Sequence, residues 1–355
     1  MRNLLKNEWT IVAVALIASI LTGVLIFAGA NPVLAFLISA VALATLATVV
    51  GQATEQLGNY LGPGATGIVQ ASIASMPELF VSFFALQAGL VTVVQSAIVG
   101  SILANSLLVM GLAFLFGGWK NGTQRFASER PRAIVIMMVL AVSALVVPTL
   151  ANVIHTPAGA HEETLSIASA FVLLVVFIGS IAFSLRGGEI SETVPAGEFE
   201  EKPWSLRRAI STLVVAGVLI AFVSDWFVQA LEPTIAAWHI SHAFAGLVIV
   251  AIAGNAVENV VGVRLAIKNK MDYAISIVMN SSLQVALAVT PILVLLSYFF
   301  SPVALTLVLP PLLVVALALA AILSALIVYD GESNWLEGLA LMGLYIMIAI
   351  SFWWG

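Results

Sequence analysis

Two glutamates stand in the middle of long apolar stretches, Glu78 within Ala74-Ser75-Met76-Pro77-Glu78-Leu79 and Glu258 within Gly254-Asn255-Ala256-Val257-Glu258-Asn259. An ionised carboxylate at the centre of a bilayer costs at least about 2.5 kcal/mol. No lysine or arginine lies mid-stretch to neutralise either one. Each must be protonated, hold a cation, or alternate between those states. Alternation is what a proton-coupled cation carrier needs. A lone intramembrane glutamate could instead be a protonated strut between helices, but two at corresponding positions argue against that.

Other oxygens sit at helical spacing around them. Ser75 and Glu78 are i, i+3, as are Asn255 and Glu258, so each pair shares a helix face. Ser101 and Asn105 are i, i+4, and Ser281 and Gln284 are i, i+3 with Ser282 adjacent. Two carboxylates with hydroxyl, amide and backbone carbonyl oxygens suit a hard cation such as Ca2+, which takes about six to eight oxygen ligands. Taken singly, a membrane serine or asparagine more often bonds a neighbouring helix. Pro77 and Gly254 are placed to loosen the helices and free carbonyls, which is tolerated beside a cavity. Glu55, Asp225 and Glu232 are weaker candidates near span ends, and His155, His161, His239 and His242 read as solvated loop residues.

The elements that must position these groups follow from composition. Of 355 residues, 61% are hydrophobic and 9% charged, and mean hydropathy is +1.12. A soluble domain carries about a quarter charged residues, so the bilayer must be the solvent for this chain. The apolar runs reach about 20 residues, too long for the roughly ten-residue alternation of barrel strands. There is no cysteine, which excludes disulfides and thiolate sites, and no basic run of the kind that binds nucleic acid.

Eleven transmembrane spans are expected, at 9–29, 33–57, 65–87, 91–116, 131–151, 164–185, 209–231, 243–267, 273–298, 303–328 and 335–354. Ala28-Gly29-Ala30 resembles a signal-peptide cleavage site, but the apolar run before it is longer than the usual h-region and is expected to remain as a helix. The charges test this topology, because lysine and arginine favour cytoplasmic connections. All 13 fall on the N-terminal side of the membrane: Arg2 and Lys6, then clusters at 120–132, 186–208 and 264–270. The N-terminus is therefore expected inside and the C-terminus outside.

Gly187–Lys202 carries five glutamates and reads as a solvated linker. The expected organisation is an extra N-terminal helix over 1–30, a first repeat over 31–186, an acidic linker over 187–208 and a second repeat over 209–355. Five spans is odd, so the two repeats would lie inverted in the membrane. Shifting the chain by 180 residues superposes Glu78 on Glu258, Ser101 on Ser281, Ser96 on Ser276 and Ala71 on Ala251.

At these residues the sequence resembles the calcium/cation antiporter superfamily, most closely its calcium/proton exchanger branch. Gly254-Asn255-Ala256-Val257-Glu258 matches that branch's Gly-Asn-Ala-x-Glu signature, and Lys268-Asn269-Lys270-Met271-Asp272 and Ser281-Ser282-Leu283-Gln284 follow it. Gly100-Ser101-Ile102-Leu103-Ala104-Asn105 and Gly51-Gln52-Ala53-Thr54-Glu55 resemble conserved first-half stretches. Two positions depart from the branch. Ser75-Met76-Pro77-Glu78-Leu79 is nearer the sodium/calcium exchangers, and Asn259 stands where many members carry histidine. The resemblance implies ten core helices in two inverted halves, discontinuous helices crossing at the midplane, and alternating access by sliding of peripheral helices.

The expected activity is Ca2+/H+ antiport, with Ca2+ as cargo and no cofactor. Glu78 and Glu258 would hold the ion while Ser75, Asn255, Ser101, Asn105, Ser281, Ser282 and Gln284 supply or orient oxygens. Na+-coupled exchange is the alternative, and a cation channel the next. An intramembrane enzyme would need a nucleophile or metal triad that the spans lack. The expected partners are Ca2+, H+ or Na+ and the lipid bilayer, with a homo-oligomer left open, in a prokaryotic inner membrane.

Overall fold

The computed structural model describes residues 8–58, 60, 73, 75–126, 129–185 and 204–354. In chain order its helices are α1 (Glu8–Phe27), α2 (Pro32–Gly58), α3 (Met76–Gln87), α4 (Val91–Asn121), α5 (Glu129–Val153) and α6 (Glu162–Leu185). They are followed by α7 (Leu206–Trp238), α8 (His242–Gly254), α9 (Ala256–Ile267), α10 (Met271–Phe300), α11 (Pro311–Asp330) and α12 (Trp335–Ser351). Two-residue strands, β1 (Gln124–Arg125) and β2 (Glu332–Ser333), pair antiparallel. Among the described residues, eight helices are long and apolar enough to cross a membrane, or nine if the bent pair α8–α9 is one span. Two shorter apolar helices, α3 and α12, accompany them. This is an all-helical integral membrane protein.

Most spans run close to their expected limits. The third was expected over 65–87, but its first part falls outside the described residues and α3 begins at Met76. The tenth was expected from 303, yet residues 301–310 are not helical and α11 begins only at Pro311. The Pro310-Pro311 pair explains the delay, since a residue before proline is pushed from helical to extended backbone. Polar groups of this stretch find partners on other helices. Gln95 Nε2 donates to the carbonyls of Thr306 and Val308, Thr149 Oγ1 donates to that of Leu307, and the Leu307 and Leu309 amides donate to Ser166 and Thr149. Irregular backbone at membrane depth survives only with such satisfaction.

The connections sort to two ends of the bundle. At one end Asn121 and Gln124 donate to the last carbonyls of α9, β1 pairs with β2, and Trp204, just before α7, donates to Gln56 near the end of α2. Every described lysine and arginine lies within or beside these connections. At the other end Ser301 donates to Leu86, Ser241 to Phe352 and Tyr298 to Glu163.

Helix boundaries repeat along the chain. Each boundary of α9 lies 180 residues beyond that of α3 (76 to 256, 87 to 267), and α10 starts 180 residues beyond α4 (91 to 271). Both long helices then widen into a π-helical segment, Ala104–Val109 and Val285–Val289, and a third occupies Ala245–Val250 in α8. Such bulges concentrate at functional sites.

The core helices touch backbone to backbone. A Cβ on Gly100 of α4 would come within 2.3 Å of the Leu247 carbonyl oxygen, and one on Gly246 of α8 within 2.2 Å of the Val93 oxygen. Small residues at such crossings let van der Waals contact replace the hydrophobic drive that lipid removes.

Candidate functional site

Both glutamates occupy the first turn of a helix that starts at a break. Ser75 precedes α3 with φ −81° and ψ 6°, and Asn255 precedes α9 with φ −96° and ψ 20°. Neither backbone is helical, and neither side chain caps its own helix. At Asn255 the break bends the span by 64°. Pro77 sits in the first turn of α3, where a missing N–H breaks no helical bond. The positive ends of two helix dipoles are thereby turned toward the carboxylates.

The diverted side chains build one network across the two halves. Glu78 is 8% exposed. Its Oε1 accepts from Ser101 Oγ at 2.9 Å and from Asn255 Nδ2. Asn255 Nδ2 also lies 2.9 Å from Ser101 Oγ. On its far side, Asn255 Oδ1 accepts from Asn105 Nδ2 at 3.0 Å, and the same Nδ2 donates to Ser281 Oγ at 3.0 Å. Ser75 Oγ donates to Gln284 Oε1 at 3.4 Å. Ser282 faces Ser106 at 3.5 Å and also donates to the carbonyl of Val278 in its own helix.

Eight of the nine sequence-derived site residues therefore enter hydrogen bonds that cross between the halves or join at Glu78. The ninth, Glu258, is half-buried within electrostatic reach of Glu78, and its carboxyl takes no hydrogen bond from another described side chain. Glu78 is pinned while Glu258 is free to move. Neither forms an ion pair among the described residues. The weaker candidates lie elsewhere: Asp225 accepts from Gln229, and Glu232 pairs with His242 at an exposed end.

A small cavity opens beside Glu78. Its volume is about 10 Å3, room for roughly one water-sized centre. Glu78, Ser82 and Ser101 are its polar wall, and Val81, Ile98, Val250 and Val289 belong to the apolar remainder. Sequence reasoning missed Ser82 and Ser106. A helical serine carries no positional signal of its own, although Ser82 stands one turn beyond Glu78. Gly254 is what lets the carboxylate in, since a Cβ there would lie 2.7 Å from Glu78 Cγ. Together these groups offer a dry, two-carboxylate, oxygen-rich site that lacks any built-in cation to neutralise it.

Known proteins share this arrangement over nearly the whole chain. Residues 31–186 and 208–354 match the family described as sodium/calcium exchanger protein. A Ca(2+)/H(+) antiporter of Aphanothece halophytica is 36% identical, covering 89% of each chain. The Ca(2+)/H(+) antiporter ChaA of Bacillus subtilis is 35% identical, covering 89% of this chain and 91% of its own. The solved structure of native YfkE superposes with a TM-score of 0.81 at 30% identity, over 97% of this chain and 99% of that one. With the site in place and the family's pattern extending over both halves, the chain belongs to the sodium/calcium exchanger family of membrane proteins.

Proposed function

We propose that this protein exchanges Ca2+ for protons across a membrane by alternating access, with Glu78 and Glu258 as the shared carboxylates. The observation that carries the reading is Glu78 itself, a carboxyl 8% exposed and held by Ser101 from its own half and Asn255 from the other, with no described cation paired to it. The names borne by the relatives from Aphanothece halophytica and Bacillus subtilis support this choice of ions. Two carboxylates neutralise one divalent ion, so a loaded site is occluded at low electrostatic cost. Two protons neutralise the same pair for the return. An empty, doubly charged site is expensive to occlude, which suppresses leak. Ser75, Asn255, Ser101, Asn105, Ser281, Ser282 and Gln284 supply or orient the neutral oxygens.

The topology that goes with this reading has eleven spans: α1 as an extra helix over 1–30, then inverted repeats over 31–186 and 209–355. The α8–α9 pair counts as one bent span, and 187–208 is the connecting segment. The 180-residue recurrence of helix starts and π segments supports it. The N-terminus is cytoplasmic and the C-terminus outside, in a prokaryotic inner membrane.

The test is Ca2+ uptake by proteoliposomes under an imposed pH gradient. Glu78→Gln and Glu258→Gln each abolish uptake, because the amide can neither release a proton nor offset the ion's charge. Wild-type flux in either variant refutes the assigned site. Since protons and Ca2+ compete for the same oxygens, apparent Ca2+ affinity rises with pH. The Ser75-Met76-Pro77-Glu78 segment favours sodium coupling as the second reading. Uptake driven by a Na+ gradient at fixed pH would select it.

A further inference from the structure

Most helical hydroxyls of this protein are consumed by their own helix. Ser19, Thr22, Thr48, Thr54, Ser143 and Thr234 each donate to a carbonyl four residues back. Ser82 does not. It is 5% exposed, lies one turn beyond Glu78 on the same face of α3, and lines the cavity. Its hydroxyl has no hydrogen-bond partner, and Ser82 is not among the described residues whose bonds reach the undescribed ones. A buried hydroxyl needs a partner, and the one direction left open to it is the cavity.

The rest of the cavity wall tells which way the cavity runs. Val81 and Ser82 follow Glu78 toward the α3–α4 turn, Ala97 and Ile98 precede Ser101 toward the same turn, and Val250 and Val289 lie on the same side of Asn255 and Ser281. On Glu78 only Oε1 is engaged by described donors, which leaves Oε2 for a ligand. The corresponding position in the second half, 180 residues on, is Gly262. It has no hydroxyl, and a Cβ there would already press on Val278 at 3.0 Å.

Resting on the reading of Glu78 as a cation-binding carboxylate, we infer that Ser82 is a cation ligand on the approach to it. A divalent cation entering from the α3–α4 end meets the Ser82 hydroxyl as its first fixed oxygen. It sheds water there between apolar walls and passes one helical turn to the Glu78 carboxylate. The second half has no such step. Ser82 thereby sets Ca2+ affinity from one side of the membrane only.

The chain contains no cysteine, so Ser82→Cys gives the full-length protein a single thiol. In sealed vesicles, a small cationic methanethiosulfonate reagent presented to the α3–α4 end should modify it. Ca2+ at about ten times its Kd should slow that modification about tenfold. In flux assays Ser82→Ala should raise the KM for Ca2+ from that side about tenfold or more with kcat little changed, and Ser82→Thr should restore it. An unreactive thiol, a reaction rate indifferent to Ca2+, or an unchanged KM in Ser82→Ala would overturn the inference. If Glu78→Gln has lost flux in the same preparation, only the role of Ser82 falls. If Glu78→Gln transports normally, the carboxylate site falls first and this step goes with it.

Discussion

At the scale of single residues, the site is made by side chains that would otherwise have served the backbone. Asn255 and Ser75 stand where helix caps stand, yet their polar groups reach Glu78 and Gln284 in place of their own helix N–H groups. Asn105, fully buried, holds Asn255 and Ser281 with one amide nitrogen, and its Oδ1 has no described partner. Asn105→Ala leaves Asn255 Oδ1 and Ser281 without that donor. Removing one partner of a buried hydrogen bond costs about 1–3 kcal/mol, so the detergent-solubilised variant should melt measurably lower. Gly254→Ala probes the opposite fault, crowding. Its new Cβ meets Glu78 Cγ at 2.7 Å, and the carboxyl must swing away from Asn255 and Ser101. Overpacking of this kind costs about 1–3 kcal/mol, while Ca2+ uptake should fall about 10-fold or more through the displaced ligand. Full uptake with a folded Gly254→Ala protein would mean that Glu78 is not needed where it sits.

At the scale of elements, the π segments and the glycine contacts work together. α4 comes close enough to α8 for Gly100 and Gly246 to meet facing backbone, then widens at Ala104–Val109 just where Asn105 faces Asn255. Further along, Gly111 lies against Gly338 of α12, with a prospective Cβ 2.9 Å from the Gly338 oxygen. One helix thus packs tightly on two sides in different registers, and the extra residue of the bulge reconciles them. Gly100→Val drives two helices apart, since the contact atoms are backbone and cannot turn aside. The expected result is a loss of folded, monodisperse protein, read by size-exclusion chromatography after extraction. Gly343 and Gly179 have nothing within 4 Å of a prospective Cβ, and alanine at either should leave yield unchanged.

At the scale of the whole molecule, charge and connectivity agree about which loops share an end. Arg125 pairs with Glu332 at 2.9 Å, joining the connection after α4 to the one after α11. The pair is exposed, so Glu332→Gln should change stability by less than about 1 kcal/mol. The absence of cysteine makes sidedness directly measurable. In intact cells an impermeant thiol reagent should label Gly89→Cys and Pro302→Cys, at the end free of described basic residues. It should spare Asn121→Cys and Ser333→Cys until the membrane is opened. The reverse pattern would invert the orientation without disturbing the fold.

The amino-acid sequence by itself determined that the chain lives in a bilayer, where its spans fall and which two carboxylates matter. These are decided by terms that act locally and strongly: hydropathy over a span, the cost of a buried charge, and the bias of lysine and arginine. The 180-residue recurrence of Glu and Ser was legible for the same reason, since it needs no geometry. Tertiary structure alone decided that Asn255 turns its amide toward Glu78 rather than its own helix, that Ser82 faces a cavity, and that 301–310 stays extended. Each depends on what a distant helix presents, whether a carboxylate, an apolar wall or the side chains of Gln95 and Thr149. No local preference can reveal such a partner, because in lipid a polar group takes whichever neighbour the packing brings within reach.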